Sequence, residues 1–148
     1  HDEIKIHSAH LKHLVATAAP KMLQRFGIGF DTAAEMLITA GDNADRVHSE
    51  AAFAKLCGVA PQPASSGRTA GRHRLSRGGD RAANSALYIV TIVRIRHHQP
   101  TRDYVQRRTA EGLTKREIIR CLKRYIAREI YHNLPRPASS PPAVSAAA

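Results

Sequence analysis

A pair of serines followed by glycine, Ser65-Ser66-Gly67, opens a stretch of the sequence that is rich in arginine. A serine beside glycine can bring its hydroxyl close to a substrate backbone, and guanidinium groups can hold a phosphate and stabilise charge that develops on it. A lone serine hydroxyl is a poor nucleophile and needs a base, for which His73 is the nearest imidazole. The candidate phosphate-holding residues of this stretch are Arg68, Arg72, His73, Arg74 and Arg77. Residue chemistry alone favours a simpler interpretation, in which a basic loop grips phosphate and Ser66 is a turn residue.

The turn Gly27-Ile28-Gly29 is a second candidate site, because it lies between two segments with helical spacing of apolar residues. This arrangement resembles a helix-hairpin-helix. Glycines there allow backbone N–H groups to face outward at a helix N-terminus, where they can hold a phosphate without reading bases. The alternative is a tight turn selected for packing, in which Ala33 and Ala34 let the two helices approach closely.

A third candidate is a cationic arc on the last predicted helix, formed by Arg120, Lys123 and Arg124. Such an arc is either a solvated helix face or a surface that follows a phosphate backbone. Histidines recur at three-residue spacing near the start of the chain, at His7, His10 and His13. No further ligand is placed to complete a metal site with them, so we predict no metal-binding residues in this chain.

The charge of the chain is distributed unevenly between its two halves. The 148 residues carry 23 Lys and Arg against 12 Asp and Glu, a net charge of +11. Residues 1–67 have a net charge of −1, and residues 68–148 have a net charge of +12. This asymmetry indicates a polyanionic partner, with nucleic acid the first candidate. The sequence shows no membrane span or signal peptide, and its two cysteines exclude a disulfide scaffold.

Apolar periodicity predicts a mainly α fold, a helical domain with a helix-hairpin-helix-like element and a long Gly/Arg-rich loop. Pro20 divides or bends the first helical segment, and Gly41 is expected to end the helix that follows the glycine turn. Residues 60–80 are predicted to be irregular, and the helix from Asp80 to His98 is predicted to be buried almost all round. The expected helix N-caps are Asp31, Ser49, Asp80 and Thr114.

The pattern divides the chain into three parts. Residues 1–22 are predicted to be an N-terminal helix. Residues 23–133 form the helical domain. Residues 134–148 are rich in Pro, Ala and Ser and are predicted to be a disordered tail.

Several short motifs in a fixed order resemble the C-terminal domain of one group of bacterial insertion-sequence transposases. The resemblance covers about residues 23–131. Members of that group have an N-terminal RuvC-like DEDD domain and a C-terminal serine domain, and they are guided by a bridge RNA. The motifs that carry it are Phe26-Gly27-Ile28-Gly29, Phe53-x-x-Leu56-Cys57-Gly58, Gly58-Val59-Ala60-Pro61, Ser65-Ser66-Gly67, the Arg/His-rich stretch, Arg77-Gly78-Gly79-Asp80 and Asn84-x-Ala86-Leu87-Tyr88.

This resemblance implies DNA recombination in which a serine attacks a phosphodiester and becomes a covalent phosphoserine. The matching serine is Ser66, with Ser65 as the second choice. The implied partners are DNA, a guide (bridge) RNA and further copies of the full-length protein. No membrane partner is implied. The implied location is the bacterial cytoplasm, on the nucleoid when the protein is bound to DNA.

One departure from the family pattern limits the expected activity. The acidic residues before Gly27 are Asp2 and Glu3, and neither matches the metal-binding carboxylates of a DEDD domain. We therefore expect no cofactor in this chain, and Mg²⁺ only together with the missing DEDD domain. The resemblance implies that residues 1–22 are the remnant of a linker from that missing upstream domain. The chain is expected to be a C-terminal fragment or a decayed reading frame that binds nucleic acid but performs little or no strand transfer alone. The alternative is a non-catalytic helix-hairpin-helix nucleic-acid-binding module or an inactive transposase fragment.

Overall fold

The computed structural model describes residues 1–64, 72–75 and 79–135 of the chain. This part is mainly helical, as predicted, and contains one short antiparallel hairpin. None of its helices is both long enough and apolar enough to cross a membrane. The predicted disordered tail falls largely on residues 136–148, outside the described residues. The elements are α1 Asp2–Ala18, α2 Pro20–Leu23, α3 Phe30–Asp42, a 3₁₀ turn Ala44–Arg46, α4 Glu50–Leu56, β1 Pro61–Ala64, β2 Arg72–Leu75, α5 Arg81–His97, α6 Gln99–Ala110 and α7 Lys115–Asn133.

Side-chain caps start three of the helices where the sequence predicted them. Ser49 Oγ accepts the Ala52 N–H at 3.1 Å, and Asp80 Oδ1 accepts the Ala83 N–H at 2.9 Å. Thr114 Oγ1 accepts the Glu117 N–H at 3.3 Å. Each bond satisfies a backbone N–H that has no partner within its own helix. These caps fix the starts of α4, α5 and α7.

The predicted bounds of α3 are wrong at both ends. The N-cap is Gly29 rather than Asp31, because Phe30 already packs on the core as the first helical residue. Gly41 does not end the helix, which continues to Asp42. A glycine in an exposed last turn costs about 1 kcal/mol against alanine, too little to stop a helix whose other face is buried. Pro20 does separate two helices, α1 and α2, as predicted.

The core forms around α5, which packs against α3, α6 and α7, while α4 packs against α7. Each large apolar side chain removed from water contributes about 1.5–3 kcal/mol, so these contacts dominate the stability. The largest fully buried side chains include Met22, Met36, Phe53, Leu87, Val90, Ile126 and Ile130.

The prediction that α5 is buried on nearly all sides is wrong. Tyr88 is 46 % exposed and Ile89 is 58 % exposed. The buried face instead runs through Leu87, Val90 and Arg94. The neighbouring helices pack against that face and leave Tyr88 and Ile89 in contact with solvent, so α5 is central but one-sided.

Residues 60–80 are not wholly irregular, contrary to the prediction. β1 and β2 pair antiparallel, with Pro61 opposite Leu75 and Ala64 opposite Arg72. Pro61 and Pro63 lower the strand propensity of this segment, and proline is tolerated in strands at sheet edges. In a two-stranded hairpin both strands are edges, so the prolines do not prevent the pairing.

Candidate nucleic-acid interface

Two parts of the chain that flank Ser66 in sequence meet where Gly58 lies against Gly79. A Cβ added to Gly79 would lie 2.2 Å from the Gly58 backbone nitrogen, so only glycine lets the two backbones meet. The Asp80 N–H donates to the Leu56 carbonyl at 2.7 Å and ties the two ends together. We call residues 56–58 and 79–80 the loop root.

Asn84 on α5 connects the loop root to α7. Its Nδ2 donates to the Cys57 carbonyl at 3.1 Å and to the Gly58 carbonyl at 3.3 Å. Its Oδ1 accepts a hydrogen bond from Lys123 Nζ at 2.7 Å. The same ammonium lies 5.6 Å from the centre of the Tyr88 ring, within cation–π distance. The structure therefore places an oriented cation beside the loop root.

Lys123 differs electrostatically from a surface lysine. Its partial burial, together with the neighbouring charge of Arg120, lowers its pKa below the ordinary value. Of the predicted cationic arc, Arg120 and Lys123 are partly buried, whereas Arg124 is exposed. The arc is therefore not one uniform solvated face, because two of its three cations are partly buried and Lys123 contacts Asn84 beside the loop root.

The other predicted residues of the Ser-Gly loop are only partly within the described chain. Ser66, Arg68 and Arg77 lie outside the described residues. The backbone of β2 carries Arg72, His73 and Arg74, opposite Ala64, Pro63 and Gln62 respectively.

The two glycines of the Gly27-Ile28-Gly29 turn have different surroundings. Gly27 has φ +77°, and a Cβ there would lie 3.4 Å from Val93 Cγ1 and 3.6 Å from Arg94 Cγ. Gly29 has φ −93°, and no described atom lies within 4 Å of the position of a Cβ. The positive φ of Gly27 favours glycine, since a Cβ there would make only ordinary van der Waals contacts with α5. Gly29 leaves the approach to the N-terminus of α3 open.

Arg94 on α5 contacts this turn through hydrogen bonds that the sequence did not predict. Its Nε donates to the Phe26 carbonyl at 2.8 Å, and its two terminal nitrogens donate to the Glu129 carboxylate at 2.8 and 3.0 Å. Arg25 also donates to Glu129. The available signal was an arginine on the same helix face as Leu87 and Val90, where a buried charge requires a partner.

We predict that Gly27→Ala lowers the free energy of unfolding by about 1–2 kcal/mol, because alanine is strained at positive φ. The matched variant Gly29→Ser is expected to change it by less than about 0.5 kcal/mol, since serine is a favoured N-cap and the site is open. Urea unfolding followed by circular dichroism measures both. Equal losses in the two variants would contradict the role of the positive φ at Gly27.

The described residues offer no metal centre and no reactive thiol at this interface. No group of three or more His, Cys, Asp or Glu side chains among them is arranged to hold a metal ion. Cys57 is fully buried in the loop root, and burial, with the nearby Asp80 charge, raises the pKa of its thiol to about 12. Cys57 therefore packs as a small apolar residue.

Fold and charge together define a basic, mainly helical domain with the Lys123 ammonium held beside the contact of Gly58 with Gly79. Residues 19–106 match the model of the IS116/IS110/IS902 family of transposases. The chain belongs to this family.

Two relatives come from bacterial insertion elements. The chain is 29 % identical over 106 residues to an IS110 insertion-element protein of 43.6 kDa from Streptomyces coelicolor, a match that covers 72 % of this chain and 26 % of that protein. It is 32 % identical over 98 residues to an IS900 insertion-element protein of 42 kDa from Mycobacterium paratuberculosis, covering 66 % and 25 %. The chain thus aligns with about a quarter of the length of these relatives.

Proposed function

We propose that this chain is the nucleic-acid-binding and serine-bearing domain of an insertion-sequence transposase, and that it acts in DNA cleavage and strand exchange. The proposal is supported above all by the loop root, where Asn84 fixes both the start of the Ser66-bearing segment and the Lys123 ammonium. Membership of the transposase family supplies the reaction class. A guide RNA and further copies of the full-length protein are proposed as partners.

In the proposed reaction, the Ser66 hydroxyl oxygen attacks the phosphorus of a DNA phosphodiester. A new oxygen–phosphorus bond forms, and the bond from phosphorus to one deoxyribose oxygen breaks. A base, for which His73 is the candidate, accepts the serine proton, and the departing oxygen takes up a proton. The phosphodiester energy is kept in the phosphoserine, so a second DNA end can reverse the step.

Cations are proposed to hold the phosphate during this step. Arg68, Arg72, Arg74 and Arg77 all follow Ser66 closely in sequence. Lys123 lies at the loop root, and the charge of Arg120 acts on it. Gly29 is proposed to offer a further phosphate contact at the N-terminus of α3, where the approach is open. The divalent metal of the family is proposed to belong to an upstream DEDD domain rather than to this chain.

DNA affinity of the 148-residue chain is expected to fall steeply with salt. The slope of log K against log[salt] is about −0.9 for each phosphate neutralised. Lys123→Gln is expected to make the slope shallower by about 0.9, because it removes one cation at the loop root. Gel shifts across a salt series measure the slopes.

Arg128→Gln is the matched control for that series. Arg128 is on the same helix as Lys123 but already pairs with Glu50, so its loss is expected to change the slope less. A slope near zero for the unsubstituted chain would exclude the proposed DNA binding. Equal changes in the two variants would remove Lys123 from the proposed interface.

The proposed serine mechanism has a test of its own. Strand exchange by the full-length protein without a covalent protein–DNA adduct would exclude that mechanism.

A further inference from the structure

Two tyrosines and two arginines form a surface on the side of α7 that faces α6. The rings of Tyr104 and Tyr125 meet edge to face, with centroids 5.9 Å apart at 87°. The guanidinium carbon atoms of Arg107 and Arg108 lie 5.5 and 5.9 Å from the centre of the Tyr104 ring. We call Tyr104, Arg107, Arg108 and Tyr125 the Tyr–Arg surface.

The two tyrosines of this surface play different parts. Tyr104 is partly buried, and burial, reinforced by the neighbouring Cys121, raises its pKa to about 12. Its ring is fixed between the two helices and holds Tyr125 at its edge. Tyr125 is 50 % exposed, so its ring is presented to solvent. A half-exposed tyrosine held by a second aromatic ring is a preformed platform with little side-chain freedom left to lose on binding.

The surroundings of the Tyr–Arg surface are positively charged. Residues 99–133 contain nine Lys and Arg but four Asp and Glu. Asp103 accepts a hydrogen bond from Gln99, Glu111 pairs with Arg108, and Glu129 pairs with Arg94. These carboxylates therefore already have partners within the domain. The charge of the surface complements a polyanion.

The Tyr–Arg surface is separate from the loop root. Lys123 and Tyr125 are two residues apart on α7, which places them about 200° apart around the helix axis. Lys123 faces Asn84 on α5, and Tyr125 faces Tyr104 on α6. A phosphate backbone held at the loop root would therefore not occupy the Tyr–Arg surface.

We propose that the Tyr–Arg surface binds an unpaired nucleic-acid strand, with one base stacked on Tyr125 and the adjacent phosphate held by Arg107. The inference rests on the proposed function only in assuming that the domain works on nucleic acid. A duplex hides the faces of its bases, whereas an unpaired strand offers them to an aromatic ring. An exposed ring within a basic surface therefore selects the unpaired strand.

The test measures fluorescence anisotropy of labelled 12-nucleotide oligo(dT) and oligo(rU), and of a matched DNA duplex, with the full 148-residue chain. Loss of one base–aromatic stack weakens single-strand binding by about tenfold, so this is the expected effect of Tyr125→Ala on both single strands. Duplex affinity is expected to change by less than about twofold, since it depends on phosphate contacts. Comparison of oligo(dT) with oligo(rU) shows which kind of strand is preferred.

Two control variants separate stacking from general apolar contact. Tyr125→Phe keeps the ring and is expected to restore single-strand affinity to within about twofold of wild type. Ile89→Ala removes an exposed apolar side chain from α5 and is expected to leave that affinity unchanged. Equal single-strand affinity of Tyr125→Ala and wild type would overturn the proposal. If wild type is a dimer and Tyr125→Ala is a monomer of unchanged single-strand affinity, the proposal would also be overturned, because the surface would then bind a second copy of the chain.

A spectroscopic readout tests stacking directly. The chain contains no tryptophan, so Tyr125→Trp introduces a single indole whose fluorescence reports this position. Stacking on a base is expected to quench that fluorescence when oligo(dT) is added, whereas the duplex is expected to leave it nearly unchanged. Equal quenching by both would contradict selection of the unpaired strand. If the chain binds the duplex but substitution of Tyr125 does not change single-strand affinity, only the proposal for the Tyr–Arg surface is excluded. If the chain binds neither the duplex nor the single strands, the proposed function is excluded as well.

Discussion

Ser66→Ala is expected to abolish the covalent protein–DNA adduct and to lower strand exchange by more than about 10³-fold. Alanine has no oxygen with which to form the bond to phosphorus. DNA affinity is expected to remain within about twofold of wild type, because phosphate contacts by cations supply it. The measurement uses this chain joined to the DEDD domain that is proposed to lie upstream of it. Denaturing electrophoresis of labelled DNA then detects the adduct.

Ser65→Ala is the matched control for this experiment, since it removes the neighbouring hydroxyl of the same Ser-Ser-Gly motif. It is expected to keep the adduct. If Ser65→Ala loses the adduct and Ser66→Ala keeps it, the nucleophile is Ser65. An adduct that survives in both variants, and in the double variant, would assign the covalent step to a residue outside this motif.

Helix positions follow from the sequence because their determinants are local. Ser49, Asp80 and Thr114 cap helices through bonds to residues three positions ahead, and such spacing is visible in the sequence. Pro20 separates two helices for an equally local reason, its fixed φ and missing N–H. The start of α3 was misplaced because burial of Phe30, a tertiary effect, decided it.

The hairpin and the ends of the Ser-Gly segment could not be predicted in the same way. Pairing of Pro61–Ala64 with Arg72–Leu75 depends on contacts across the intervening residues, which local propensity does not encode. The contact between Gly58 and Gly79 joins residues 21 positions apart. Only the glycines themselves signalled a close approach of backbones.

The cationic interface was predicted in composition but not in arrangement. The sequence identified Lys123 as one of three cations on a helix face, yet its contacts with Asn84 and Tyr88 require α5 and α7 to pack. About half of the Tyr88 and Tyr125 side chains is exposed, which the sequence did not indicate. Side-chain exposure depends on which faces of neighbouring helices are covered, and periodicity alone does not determine this.

Glu129→Ala is expected to lower the free energy of unfolding by about 3 kcal/mol, near the lower end of the range for broken buried ion pairs. The substitution leaves the buried Arg94 guanidinium without its carboxylate, and it also releases Arg25. The lower end applies because the Glu129 side chain remains 19 % exposed. Since Arg94 also holds the Phe26 carbonyl, the Gly27-Ile28-Gly29 turn is expected to loosen in the same variant. Urea unfolding measures the stability, and hydrogen exchange at Ile28 measures the turn.

Glu50→Ala is the matched control, because Glu50 also pairs with two cations, Arg128 and His132, but at the exposed surface. It is expected to shift the unfolding midpoint much less than Glu129→Ala does, since exposed ion pairs contribute little. Equal shifts would show that burial of the Arg94–Glu129 pair has no special weight.

The same pair gives the stability a defined dependence on pH. Burial opposes ionisation of Glu129, but the hydrogen bonds from Arg94 and Arg25 outweigh it and hold its pKa below the ordinary value of 4.5. A carboxyl whose pKa is lower in the folded state than in the unfolded state stabilises the fold above the unfolded value. That stabilisation is lost as the pH falls through the folded value. The stability advantage of wild type over Glu129→Gln is therefore expected to be complete at neutral pH and to shrink below pH 4.5. An advantage that stays constant down to about pH 3 would show that the charge of Glu129 does not hold Arg94 in place.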